Sequence, residues 1–168
     1  LAVAFGSIVA MALPMLTSLV GLGIGFLLIR VLGWFTEVTS FAPILASMIG
    51  IAVGIDYALF IVTRHRQHLA EGMAVDEAVA RAIATSGQAV IFAGLTVLIA
   101  ILGLALVGIP LVAALGYAVS LVVAVAVLVA VTLLPALLGL FGTRIDRLRV
   151  PGVQLRFEAA VAGVIPIV

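Results

Sequence analysis

The sequence predicts an all-α fold, a polytopic bundle of transmembrane helices, on three observations. Of the 168 residues, 66% are hydrophobic and only 9% are charged, whereas soluble globular domains carry about 25% charged residues. The mean hydropathy is +1.50. The apolar residues form long runs, several of which reach the ~20 residues that a membrane helix needs. A soluble domain of this length would be unable to bury so much apolar surface.

Proline, glycine and polar residues divide the chain into one partial and four full membrane spans. Residues 1–35 are apolar except for Arg30. As one helix they would reach ~50 Å, which exceeds the ~30 Å hydrocarbon core, so Pro14 is the predicted break. We therefore expect the end of one span over residues 1–13 and a full span over residues 15–34. Further full spans are predicted at residues 43–63, 88–107 and 111–141.

Two segments outside these spans differ in character. Residues 75–86 show an amphipathic pattern, with Glu77 and Arg81 spaced as an i,i+4 pair, and predict a short surface helix that leads into the next span. Residues 142–168 are expected to form a cytoplasmic linker or a truncated tail. Because Leu1 opens directly into an apolar run, we expect the chain to be cut from a longer protein.

The arginines predict the orientation of the bundle. The links at residues 35–42 and 107–111 contain no basic residue, whereas the other two polar segments are basic. The positive-inside rule places basic segments in the cytoplasm, and four full spans alternate consistently with that. The arginines concerned are Arg64, Arg66 and Arg81 in one segment and Arg144, Arg147 and Arg149 in the other.

Asp56 is the first candidate for a functional residue, since it lies in the middle of an otherwise apolar span. An Asp at the centre of a membrane helix costs ~2.5–3.5 kcal/mol on insertion scales. If Asp56 only formed a hydrogen bond to another helix, that bond would stabilise the bundle by only ~0.6 kcal/mol on average. Burial disfavours the charged form of a carboxyl group and so allows it to take up and release a proton. We therefore favour a proton-binding role over a packing role.

Other polar and small residues lie near Asp56 in the predicted bundle. The phenol of Tyr57, about 100° further round the helix, can hydrogen-bond to a carboxylate or to water. Thr96, on a later span, lies at a depth that makes it the best candidate to approach Asp56. Small residues recur every fourth position on the Asp56 helix and predict a seam for close helix packing. They are Ala46, Gly50, Gly54 and Ala58.

The segment Gly-Ile-Asp-Tyr-Ala-Leu-Phe-Ile-Val-Thr-Arg over residues 54–64 resembles the fourth membrane helix of the RND transporter superfamily, and more narrowly of its MMPL (mycobacterial membrane protein large) family. Residues 71–79 and 85–87 resemble the family's cytoplasmic loop, and Thr-Leu-Leu-Pro-Ala-Leu-Leu at residues 132–138 resembles the end of its sixth helix. The resemblance covers roughly residues 3–149. It implies one half of an RND-type membrane domain, from the end of the second helix through the sixth.

The resemblance implies a function and its residues. It predicts an exporter driven by the proton-motive force, with lipids or other amphiphiles as cargo, in the bacterial cell (inner) membrane. Asp56 and Tyr57 correspond to the family's proton relay, with protons as the coupling ion and no other cofactor. One departure is Ala93, where relatives often have a serine.

The resemblance also implies partners, because this chain is not expected to transport alone. They are membrane lipids and the remaining half of the transporter, with a second Asp-Tyr helix and large porter domains. A homo-oligomer is compatible with it, and no nucleic acid is expected.

Three alternatives remain open from the residues. The first, within the same superfamily, is a subunit that exports proteins. An intramembrane aspartyl protease would use Asp56 as one of two carboxylates that share a proton, and the sequence holds no second acid in a predicted span. A membrane scaffold would use Asp56 only as polar glue. The sequence contains no cysteine and two histidines, His65 and His68, so no metal site is expected.

Overall fold

A computed structural model describes residues 8–35 and 40–141, and every regular element in these ranges is helical. Four helical stretches are long and apolar enough to cross a membrane, which confirms the predicted all-α transmembrane bundle. The elements in chain order are α1 (Ile8–Leu32), α2 (Ala42–Ala70), α3 (Val75–Ala82), a π-helical segment (Ile83–Gly87), α4 (Gln88–Leu102), a 3-10 segment (Gly103–Val107) and α5 (Pro110–Phe141).

The fourth membrane-spanning stretch, α5, is the centre of the bundle. It packs against α1, α2 and α4, and 56% of its apolar stretch is buried, against 11% of the apolar stretch in Val75–Val107. Valines and alanines of α5 occupy both hydrophobic clusters of the core. Small side chains on a central helix let its neighbours approach closely. Because lipid is as apolar as the side chains, membrane helices associate through such van der Waals contact and not through the hydrophobic effect.

The predicted break at Pro14 is wrong, because α1 runs without interruption from Ile8 to Leu32 with Pro14 inside it. Proline removes one backbone donor, but in an apolar medium every other N–H still requires an intrahelical partner, which favours an unbroken helix. The hydroxyls of Thr17 and Ser18 add hydrogen bonds to the carbonyl oxygens of Leu13 and Pro14. Part of the predicted span at residues 1–13 lies outside the described residues.

Two other boundaries differ from the predicted ones. The helix predicted at residues 43–63 continues to Ala70, so the basic cluster at its end is helical. It ends where Gly72 adopts a left-handed φ of 86°, a conformation that glycine adopts at little cost. The amphipathic helix α3 and the span predicted at residues 88–107 form one continuous helical stretch, Val75–Val107, joined through the π-helical segment.

The last span begins one residue earlier than predicted, at Pro110, and extends to Phe141. Gly108 precedes it with a left-handed φ of 78°, which turns the chain after the 3-10 segment. The tail predicted over residues 142–168 lies outside the described residues.

Candidate functional site

Asp56 is the middle residue of the 29-residue helix α2, about 21 Å from either end at 1.5 Å per residue. It is exposed, in a row with Met48, Ala52 and Phe60, which are also exposed. These residues are spaced by four and therefore share one helix face. The carboxylate thus projects from the described bundle and not into it. In a membrane, such a face meets lipid, water or another part of the protein.

Tyr57 lies on a different face of α2 from Asp56. Its side chain is partly buried and packs against a hydrophobic cluster that includes Leu13 of α1, Ala58 and Ile61 of α2 and Leu134 of α5. The ring therefore packs on the core, while the neighbouring carboxylate is exposed. A tyrosine in this position presents an apolar body to the core and a phenol that remains able to hydrogen-bond.

The small residues of α2 are buried where α2 meets its neighbours. Ala46, Gly50, Gly54 and Ala58 are all buried. A Cβ atom on Gly54 would lie 3.2 Å from the Cβ atom of Ser18 in α1, and one on Gly50 would overlap Val122 of α5.

The packing seam and the carboxylate are on nearly opposite sides of α2. Asp56 follows Gly54 by two residues, or about 200° around a helix of 3.6 residues per turn. The seam therefore fixes α2 against α1 and α5 and leaves the Asp56 face uncovered by the described helices.

Thr96 does not approach Asp56, so that prediction is wrong. It lies on an exposed face of α4, where its hydroxyl donates to the carbonyl oxygen of Phe92 at 2.9 Å. α4 packs chiefly on α5. The depth of a residue along a span predicts its height in the membrane but not the direction in which its side chain points.

Two features near the end of α2 that carries the basic cluster had little signal in the sequence. His65 of α2 and Ser86 of the π-helical segment are fully or almost fully buried. The π-helical turn itself has no periodic signature, although it contains a Thr-Ser-Gly sequence at residues 85–87. Within the part of the chain that the structure describes, no three His, Cys, Asp or Glu residues come close enough to hold a metal ion.

A family model for the MMPL family matches residues 1–156. The chain belongs to the MMPL family. The resemblance seen in the Asp56 helix is thereby confirmed, and with the four apolar helices it identifies a multi-pass bacterial membrane protein.

Three relatives are much longer than this chain. It is 49% identical over 144 residues to membrane protein YdfJ of Bacillus subtilis, covering 86% of this chain and 20% of that protein. It is 41% identical over 138 residues to the mycolic acid-containing lipids exporter MmpL11 of Mycolicibacterium smegmatis, covering 82% and 14%. It is 34% identical over 146 residues to the trehalose monomycolate exporter MmpL3 of Mycobacterium tuberculosis, covering 87% and 16%. The chain thus spans about a fifth or less of the length of these relatives.

Proposed function

We propose that this chain is part of an exporter of lipids or other amphiphiles that is driven by the proton-motive force, with Asp56 as the proton-binding group. The observation that carries the proposal is an exposed carboxylate at the midpoint of an apolar helix. Placed against lipid, it would cost ~2.5–3.5 kcal/mol on insertion scales. A carboxylate that gains and loses a proton at such a site changes the charge of the membrane interior and so biases helix packing.

The exposed Asp56 face also supports the proposal that the rest of the protein covers it. The chain spans about a fifth or less of its relatives' length, and a full-length protein of that size would have most of its residues outside this chain. A second helix with its own Asp-Tyr pair, packed on the face of Met48, Ala52, Asp56 and Phe60, would shield the carboxylate from lipid. Porter domains elsewhere in the full-length protein would handle the cargo.

Tyr57 is proposed as the hydrogen-bonding partner of the relay. Its ring packs on the core cluster, which would hold the phenol at a fixed height next to the carboxylate. Protons would enter from the outside, neutralise Asp56 and leave towards the cytoplasm. Moving one charge through the full membrane potential is worth ~2.3 kcal/mol per 100 mV, which is enough to change the ratio of two packing states more than tenfold.

The names of two relatives support an amphiphilic cargo, since MmpL11 and MmpL3 are described as exporters of mycolic acid-containing lipids and of trehalose monomycolate. The described residues contain no feature that selects one lipid over another.

The test is Asp56→Asn in the full-length protein, because asparagine keeps hydrogen bonding but does not titrate. The matched control is Asp76→Asn, which removes an exposed acid from the first turn of α3. Export of lipids to the cell surface is measured with and without a protonophore. Asp56→Asn should lose the protonophore-sensitive export and Asp76→Asn should keep it. Retention of that export by Asp56→Asn would overturn the relay, and Asp56-dependent secretion of proteins without lipids would indicate a protein-export subunit.

A further inference from the structure

The π-helical segment Ile83–Gly87 joins the amphipathic helix α3 to the membrane helix α4 and contacts α2 and α5. Local interactions support the wide turn. The hydroxyl of Thr85 donates to the carbonyl oxygen of Arg81 at 2.9 Å. Gly87 has no Cβ, and one placed there would lie 3.2 Å from Cγ2 of Ile83. π-helical turns are rare, and they occur mostly as single turns inserted in α-helices, frequently at functional sites.

Ser86, within this segment, has a buried hydroxyl that lacks its usual partner. Its side chain is 1% exposed, and its Oγ has no hydrogen-bond partner among the described residues. In the described helices, all other serine and threonine hydroxyls donate to a carbonyl oxygen three or four residues earlier. They belong to Thr17, Ser18, Ser47, Thr63, Thr85, Thr96, Ser120 and Thr132.

The missing partner coincides with the π turn. Thr85 still reaches the carbonyl oxygen of Arg81, before the segment begins, whereas the carbonyl oxygens of Ala82 and Ile83, which Ser86 would reach in an α-helix, lie where the turn widens. In a regular α-helical turn, the Ser86 hydroxyl would reach the carbonyl oxygen of Ala82 or Ile83. An unpartnered buried hydroxyl is costly, so the π form is penalised at Ser86 in a way that the α form is not.

A change from π to α in this segment would rotate α4. A π turn contains one more residue than an α turn, so winding that residue into the α-helix advances every later residue by about 100° and 1.5 Å relative to α3. At present Gly94 of α4 lies against Val127 of α5. After the change, Ala93 would occupy the angular position of Gly94.

The sequence of α4 is suited to both positions. Its buried residues are Val90 and Gly94. The same packing face also includes Val97 and Ile101, which are partly buried. The row one residue earlier at each of these four positions consists only of small side chains that are exposed: Ala89, Ala93, Thr96 and Ala100. A helix that faced only lipid on that row would be free to carry large apolar residues, as it does at Phe92 and Ile99, which are 76% and 71% exposed.

We propose that Ile83–Gly87 is a switch between π- and α-helical turns that rotates α4 on α5, exchanging Gly94 for Ala93 against Val127. The π form is the one in the structure, with the close Gly94–Val127 contact and the unpartnered Ser86 hydroxyl. In the α form, the Gly94–Val127 contact is lost, the Ser86 hydroxyl gains a hydrogen bond, and the row that contains Ala93 packs on α5. The proposal concerns the motion of α4 and does not depend on a proton relay at Asp56.

Disulfide formation between paired cysteines in the full-length protein, freed of other cysteines, tests the switch in native membranes. Gly94→Cys with Val127→Cys reports the π form, and Ala93→Cys with Val127→Cys reports the α form. Ile99→Cys with Val127→Cys is the matched control, because Ile99 lies on neither packing row. Both reporter pairs should cross-link above the control pair. Cross-linking of the Ala93 pair at the control level would overturn the proposal.

Deletion of Ala84, which is exposed in the π segment, removes the extra residue and leaves a regular helix in the present register. The Ala93 pair should then fall to the control level while the Gly94 pair persists; an unchanged Ala93 pair would overturn the switch.

Ser86→Ala decides the question even if the deletion variant fails to fold. It removes the penalty in the π form and the hydrogen bond in the α form, so the ratio of Ala93 to Gly94 cross-linking should fall about tenfold, equivalent to about 1.4 kcal/mol. Ser120→Ala, whose hydroxyl already donates to Tyr117, should leave the ratio unchanged. Equal ratios in Ser86→Ala and Ser120→Ala would contradict the proposal.

Discussion

Val122 of α5 lies so close to Gly50 of α2 that a Cβ atom on Gly50 would overlap the Cγ1 methyl group of Val122. The same valine also meets α1, where a Cβ atom on Gly25 would lie 2.9 Å from Cγ2. Its isopropyl group therefore lies between two glycines. This side chain is a point of close contact among three membrane helices.

Gly50→Ala should therefore destabilise the bundle. Overpacking a close contact costs about 1–3 kcal/mol, which outweighs the gain of up to ~1 kcal/mol in helix propensity, because the stiff χ1 of a valine in a helix limits how far its methyl groups move away. Thermal unfolding of the full-length protein in detergent should show a lower Tm. Gly23→Ala is the matched control, since nothing lies within 4 Å of its Cβ position, and its Tm should be unchanged or higher.

Val122→Ala should rescue Gly50→Ala, because it removes the methyl groups that the new Cβ meets. The double variant is expected to have a higher Tm than Gly50→Ala alone. A double variant that melts as low as the sum of both single changes would show that the contact is not the cause.

Gly54→Ala should be milder than Gly50→Ala. Its Cβ would lie 3.2 Å from Cβ of Ser18, so a displacement of a few tenths of an ångström relieves the contact. The expected order of Tm is Gly23→Ala, then Gly54→Ala, then Gly50→Ala as the lowest. Inversion of the last two would contradict the described packing of α2 on α1 and α5.

Tyr57→Phe should reduce export without loss of folded protein, if the phenol is the proposed partner in the relay. A hydrogen bond to a charged group contributes about 1.5–3 kcal/mol, which corresponds to about tenfold or more in rate. Tyr117→Phe is the control, because Tyr117 is 41% exposed on α5 and has no proposed role. Near-normal export by Tyr57→Phe would reduce Tyr57 to a packing residue.

Cysteine labelling tests the orientation that the arginines predict. Glu71→Cys, in the turn between α2 and α3, should react with a membrane-impermeant maleimide only after the cells are opened. Ile109→Cys, in the turn before α5, should react in intact cells, since both residues are exposed. The reverse labelling pattern would show that the bundle has the opposite orientation in the membrane, and the proposed direction of proton entry would be reversed with it.

Much of this fold was predictable because apolar length and flanking charge determine spans. The recurrence of small residues at Ala46, Gly50, Gly54 and Ala58 identified the buried face of α2, since close helix contact requires small side chains. The predicted break at Pro14 is wrong because it assumes the behaviour of a helix in water, where a helix can end at little cost. In the membrane, unpaired backbone groups have no water to hydrogen-bond with.

The faces of single residues were harder to predict. Asp56 was readily found from its charge, but the sequence did not show that its carboxylate would be exposed on the described bundle while Tyr57 packs on the core. Thr96 was placed wrongly because nearly every residue around it is apolar, so no amphipathic pattern indicates which face of α4 meets α5. The π-helical turn around Ser86 holds one residue more than an α turn, and no periodic pattern in the sequence of residues 83–87 marks that extra residue.

The central claim, that Asp56 takes up and releases a proton, is tested most directly by infrared difference spectroscopy of the full-length protein in lipid. Acidification across the range in which the protein exports should produce the C=O band of a protonated carboxylic acid. The part of that band that comes from Asp56 should be lost in Asp56→Asn and kept in Asp76→Asn. An unchanged band in Asp56→Asn, with export intact, would contradict the claim and leave Asp56 as a structural residue.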